Sequence, residues 1–227
     1  MKRGKKYKAL TKSKLSQPLQ IKEAVEKVKK NVYTKFVNTI DLHIKLTKRD
    51  KKETQLTKGS VQLPYPFSKE LKIIVFTQNP ELIQKAKDLK VDAVGSDDLV
   101  KKVMDGWLDF DIAIADPAIM PKIAMLGKVL GPKGIMPNPK NNTVTTDIET
   151  SVNQYRSGKM DYKIDKDMIL HTSIGKVDME TDKIVDNFMA VIKSLSTLSG
   201  KSINLTVSTI HLAPTMGPSV KVDKSDL

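Results

Sequence analysis

The sequence predicts an α+β domain built from both ends of the chain and interrupted by an α/β domain with a parallel sheet. Three observations carry this. Ile40, Leu42, Ile44 and Leu46 alternate with Thr39, Asp41, His43 and Lys45, the period of a strand with one face buried. Residues 71–115 run strand, helix, strand, helix, strand with short links, the pattern of a parallel sheet covered on both faces. After Ser157-Gly158 the antiparallel type of pattern returns. The expected boundaries are 1–66 plus 158–227 for the discontinuous domain and 67–157 for the insert.

Lys2 to Lys14 is a polar basic arm with little to bury. Ile21, Ala24, Val25 and Val28 recur at helical spacing behind Pro18. The alternating strand follows. Residues 47–58 form a charged loop whose Lys51, Lys52 and Lys58 are expected to meet phosphate. Residues 59–63 return as a short strand, which Pro64-Tyr65-Pro66 ends, because two prolines in three residues cannot continue a central strand.

In the insert, Leu71 to Phe76 is a near-continuous apolar strand. Helices are expected over 80–89, 97–104, 118–126 and 147–155, with strands at 93–94 and 112–115. Residues 127–140 hold three prolines and three glycines in close order and read as a rigid surface loop. Beyond the insert, strands are expected at 160–164 and 168–174. Ile184, Val185, Phe188, Ile192 and Leu195 mark an amphipathic helix. In the last long strand the apolar parity switches between Val207 and Ile210, which predicts a bulge near Thr209.

Charge is distributed unevenly. The formal net charge is +13, and residues 1–66 alone hold 18 Lys and Arg against 5 Asp and Glu. Residues 67–158 carry 12 of each and residues 159–227 carry 9 of each, so the whole excess lies in the first segment. Such asymmetry is an electrostatic footprint for a polyanion. The open side of the 39–46 strand lies in this basic part of the chain, and it is expected to anchor an RNA-binding surface.

Other chemistries find little support. There is no cysteine, which excludes a disulfide framework, thiolate metal sites and a cysteine nucleophile. No apolar run approaches the ~20 residues of a membrane span, and no apolar segment follows the N-terminal lysines, so a cytoplasmic protein without a membrane partner is expected. Gly131-Pro132-Lys133-Gly134 lacks the spacing of a phosphate-binding loop. His43, His171 and His211 share no short spacing, so neither metal binding nor a catalytic role is expected; each reads as a hydrogen-bonding strand residue. Asp105-Gly106-Trp107-Leu108-Asp109-Phe110-Asp111 is rich in carboxylates but reads as a turn. Neither a cofactor nor a catalytic residue is expected.

Four motifs, in this order and spacing, carry a resemblance: Lys35-Phe36; Asp105-Gly106-Trp107; Leu130-Gly131-Pro132-Lys133-Gly134 with Pro137-Asn138-Pro139-Lys140; and Thr215-Met216-Gly217-Pro218. Together they resemble the bacterial-type "L-one" family of large-subunit ribosomal proteins, nearly end to end. The resemblance implies a discontinuous RNA-binding domain with a Rossmann-like insert. It implies a partner in the large-subunit rRNA that forms a mobile stalk near the tRNA exit site, contact with exit-site tRNA during release, and repression of the protein's own messenger RNA. Off the ribosome the protein is expected to be monomeric.

Carried over by position, the implied RNA contacts are Lys35, Phe36, Thr39, Asp41, Thr209, Thr215, Met216 and Gly217, beside the loop lysines above. Asp41 stands where the family commonly has Glu, Thr209 for Ser, Lys58 for Arg, and Pro214 for a polar residue. Phe36 and Met216 would form an apolar platform, and Gly217 would let RNA approach bare backbone. Strand parity conflicts with part of this, because it puts Phe36 on the buried side with Ile40. Two alternatives from other classes are an α/β enzyme using a nucleotide in the insert and a non-specific basic RNA chaperone.

Overall fold

A computed structural model describes residues 17–47, 58–67, 71–199 and 207–224, with Gly4, Tyr7 and Leu10 besides. Most of the expected basic arm, Lys51 and Lys52 of the loop, and positions 203–206 of the last long strand lie outside these residues.

In chain order, helix α1 (Ile21–Lys30) precedes strands β1 (Thr39–Leu46) and β2 (Lys58–Gln62). The insert follows with β3 (Ile73–Phe76), α2 (Pro80–Asp88), β4 (Ala93–Gly95), α3 (Asp97–Met104) and β5 (Ile112–Ala115). Two short helices, α4 (Met120–Ile123) and α5 (Gly127–Lys133), lead to α6 (Ile148–Arg156). The chain ends with β6 (Lys159–Ile164), β7 (Ile169–Lys176), α7 (Thr181–Ser199), β8 (Val207–Pro214) and β9 (Val220–Val222). Two compact units result, Met1–Phe67 with Met160–Leu227, and Ser68–Lys159.

In the first unit six strands form one sheet in the order β2-β6-β7-β1-β8-β9. The central strand β1 pairs antiparallel with β7 on one side and β8 on the other. Its inward residues Ile40, Leu42, Ile44 and Leu46 are buried with Leu170, Ile174, Ile210 and Leu212 of its neighbours. Ile21, Ala24, Val25 and Val28 of α1 and Ile184, Phe188 and Val191 of α7 close the same core. Both helices therefore cover one face of the sheet, and Thr39, Asp41, His43 and Lys45 are left on the other. The expected bulge falls at Ser208, one residue before the expected place: Lys45 pairs with Thr209, but Leu46 pairs with Val207.

In the second unit three parallel strands run in the order β4-β3-β5. Alternate residues of β3 feed two cores: Ile74 and Phe76 pack with Leu99, Val103, Ile119 and Ile123, whereas Ile73 and Val75 pack with Ala86, Ile148, Val152 and Tyr155. A sheet sandwiched in this way explains why the strand reads as an unbroken apolar run. Local signals set the helix starts. Asn79 accepts from Glu81 N–H at 3.1 Å with Pro80 in the first turn, and Asp147 accepts from Thr150 N–H at 3.3 Å.

The start of the expected 127–140 loop is helical instead. Residues Gly127–Lys133 form α5, with Leu130 fully buried. Gly134, at φ +75°, closes it: Ile135 N–H donates to Leu130 O and Gly134 N–H to Gly131 O, the paired bonds of a left-handed glycine cap. Pro132 lies inside this helix, where it has no N–H to give the carbonyl of Lys128. The carboxylates of the 105–111 stretch are structural as well: Lys72 N–H donates to Asp111 Oδ2 at 3.0 Å, and Lys72 Nζ meets Asp109 at 2.6 Å.

Candidate nucleic-acid interface

The open side of the six-stranded sheet gathers the expected contact residues from chain segments about 170 positions apart. At one end, β1 begins at Thr39 and β8 finishes at Pro214, with Ile40 opposite Pro214. The tie between them is a hydroxyl. Thr215 Oγ1 accepts from Thr39 N–H at 3.2 Å and donates to Thr39 O at 3.2 Å, while Thr215 N–H also donates to Thr39 O at 3.1 Å. The Thr215 hydroxyl thus holds the corner together, and one of its lone pairs remains for a ligand.

Residues 214–217 form a tight turn, closed by Gly217 N–H to Pro214 O at 3.0 Å. Met216 is presented at its tip, 52% exposed. Gly217 serves the turn itself. A Cβ built there would lie 2.4 Å from Pro214 Cγ and 3.1 Å from Asn31 O, and a proline ring cannot swing away. The glycine is therefore required by packing inside the protein, whatever approaches from outside.

Phe36 corrects the parity expectation. It lies three residues before β1, in a bend, and is 55% exposed. The neighbouring bend is tied by Asn38, whose Nδ2 donates to Thr34 Oγ1 at 2.6 Å and to Phe36 O at 3.3 Å, and whose backbone carbonyl accepts from Val177 N–H at 3.0 Å. Because the chain is not extended here, alternation cannot be run back from Ile40 to Phe36. Lys35 and Val37 are exposed beside it. Asp41, half-buried, accepts from Ser173 Oγ on β7 at 2.8 Å.

Thr209 does not join this corner. It stands opposite Lys45 on the same open face, six residues of β1 away from Thr39, or ~20 Å at the rise of a strand. Lys58 is the first residue of β2, which lies at the sheet edge beside β6 and away from β1. Lys51 and Lys52 lie outside the described residues.

The three histidines, each expected as a hydrogen-bonding strand residue, meet on this face. Register places His43 directly opposite His171 on β7 and His211 on β8. His43 Nδ1 and His171 Nδ1 are 2.8 Å apart, with ring centroids at 4.9 Å in an edge-to-face arrangement. Burial, and then the neighbouring His171, push the His43 imidazole below its ordinary value of 6.5. Spacing in the chain gives no hint of the trio, which only strand register assembles. Among the described residues no group of three or more His, Asp or Glu is disposed to hold a metal ion, and no helix is long and apolar enough to cross a membrane.

Comparison with known proteins places this geometry in a family. The chain is 41% identical over 228 residues to the large ribosomal subunit protein uL1 of Persephonella marina, covering 98% of this chain and 94% of that one. It is 40% identical to the protein of the same name from Lactobacillus acidophilus over 100% and 99% of the two chains, and 39% identical to that of Maridesulfovibrio salexigens over 98% and 95%. A model of the ribosomal protein L1p/L10e family matches residues 25–218, a span that holds the whole corner, the histidine row and the entire insert. The chain belongs to the ribosomal protein L1p/L10e family, whose members are structural ribosomal components and not enzymes.

Proposed function

We propose that this protein, a cytoplasmic component of the large ribosomal subunit, binds large-subunit rRNA through the corner where β1 meets the 214–217 turn, with residues 1–66 and 158–227 as its RNA-binding domain. The observation that carries the reading is the convergence of Phe36, Thr39, Asp41, Thr215 and Met216 on one end of the sheet face opposite α1 and α7. The rRNA is the stalk region near the tRNA exit site; contact with exiting tRNA, and repression of the protein's own messenger through a look-alike structure, belong to the same reading, with the protein monomeric off the ribosome. Structured RNA is recognised by shape, ribose hydroxyls and phosphates, for which short hydroxyl side chains and a small apolar platform are suited. Lys35 adds a cation at the corner. Lys51, Lys52 and Lys58 supply the sequence-independent, salt-sensitive part of the affinity, and Thr209 marks the far end of the contact.

Crosslinking in cell lysate tests the reading, with recovery of one large-subunit rRNA segment as the expected result. Phe36→Ala should weaken binding to that segment by about 1–3 kcal/mol, the usual worth of a base stacked on an aromatic ring, and Met216→Ala should weaken it in the same direction. Both side chains are more than half exposed, so thermal melts should not change. Recovery of unrelated RNAs in proportion to their abundance would instead support a non-specific chaperone.

A further inference from the structure

We propose that RNA crosses the whole open face of the sheet, lying on the row formed by His171, His43 and His211, and that this row takes up one proton when the RNA backbone docks. The inference rests on the rRNA-binding reading above and extends it to residues that the family resemblance does not supply.

Continuity is the first argument. The corner at Thr39 and Thr215 and the distant Thr209 lie on one face, and the histidine row stands between them: along β1 the order is Thr39, Asp41, His43, Lys45, and along β8 it is Thr209, His211, Ala213. An RNA touching both ends must pass over the imidazoles. Charge is the second. Register extends the row to Lys163 on β6, opposite His171, and to Lys221 on β9, opposite His211. Five side chains from five adjacent strands thus run across the sheet, with an exposed ammonium at each end, over ~19 Å at the usual strand spacing. A phosphate backbone complements such a row.

The third argument is the pair itself. Between His43 Nδ1 and His171 Nδ1, at 2.8 Å, one nitrogen donates and the other accepts. If one ring gains a proton it still donates to its neutral partner; if both do, the bond is lost. The pair therefore has room for one proton. The groups facing His43 are Asp41 and Lys45 on its own strand, His171 on β7 and His211 on β8; Asp165, from the β6–β7 turn, lies 3.6 Å from His171 Nε2. In the free protein, burial and the neighbouring rings keep His43 neutral near pH 7, and an arriving phosphate reverses that balance.

The test uses the full-length protein and a transcript of the rRNA segment that crosslinks to it, with its 5′ phosphate removed so that no phosphate monoester titrates. Proton NMR of the histidine Hε1 signals, with and without transcript, should show one imidazole pKa rising by about one unit. Affinity at low pH should then exceed that at high pH by about tenfold. In the His43→Gln/His171→Gln variant this pH dependence should vanish. Tight binding with unmoved histidine pKa values overturns the proposal and leaves the rRNA reading standing, as does a pH dependence that survives in a folded variant. If the variant does not fold, the NMR titration of the parent decides alone. A parent that binds no rRNA segment overturns the functional reading, and this proposal with it.

Discussion

Asn187 sits on the inward face of α7 beside Phe188, and it is fully buried. Its amide is satisfied three times over: Nδ2 donates to Tyr65 O and to Ile174 O at 2.8 Å each, and Oδ1 accepts from Tyr65 N–H at 3.0 Å. One side chain thereby fixes the Pro64-Tyr65-Pro66 exit from β2, whose prolines supply no backbone donors of their own. Asn187→Ala should cost about 1–3 kcal/mol, because it strands three buried or half-buried backbone groups. A urea midpoint that hardly moves would count against this. Gly217 teaches a different lesson at the same scale. A side chain there collides with the Pro214 ring, so a Gly217 variant with impaired RNA binding would report on the turn as much as on the RNA. Phe36 and Met216 are the cleaner probes.

Elements were legible where one period ran unbroken, and the misses have physical reasons. The alternation of β1 named its buried side residue by residue, and the apolar runs of β3 and β5 announced a sheet covered twice. Helix α5 escaped because Gly127, Gly131 and Pro132 are breakers by propensity, whereas burial of Leu130 and a glycine cap outweigh propensity over so short a span. Phe36 escaped because a side-chain hydrogen bond bends the chain before the strand begins. The histidine row escaped for a deeper reason, since 128 residues separate His43 from His171 and only register joins them. That row also makes a prediction for its strands. Folding holds His43 below its ordinary value of 6.5, so the unfolded chain binds the proton more readily. The stabilisation is present above about pH 6.5 and is lost as pH falls through the lowered value. Urea melts should therefore show a midpoint that falls with pH below 6.5, and His43→Gln should flatten this fall; equal slopes for parent and variant would contradict it.

The whole molecule divides its labour along the charge map. The first 66 residues carry the entire +13, while the insert and the C-terminal segment are each balanced. The first unit also has its own core, closed by α1 and α7, and the strands that flank the insert in the chain, β2 and β6, are neighbours in its sheet. Phe67 packs against that core and belongs with it. Removing residues 68–158 and joining Phe67 to Lys159 through a short flexible linker should therefore leave a cooperative fold. Lys159 would lose its bonds to Asn141 O at 3.0 Å and Gln154 Oε1 at 3.2 Å, both partners within the insert, and a lysine released in this way is readily solvated. The shortened protein keeps Phe36, Thr39, Asp41, Thr215, Met216 and the full histidine row. Its affinity for the crosslinked rRNA segment should stay within about tenfold of the parent's. The salt dependence should also match the parent's, because the slope counts phosphates neutralised and the insert contributes no net charge. A shortened protein that melts cooperatively yet loses most of its affinity would show that the insert makes contacts of its own with the rRNA.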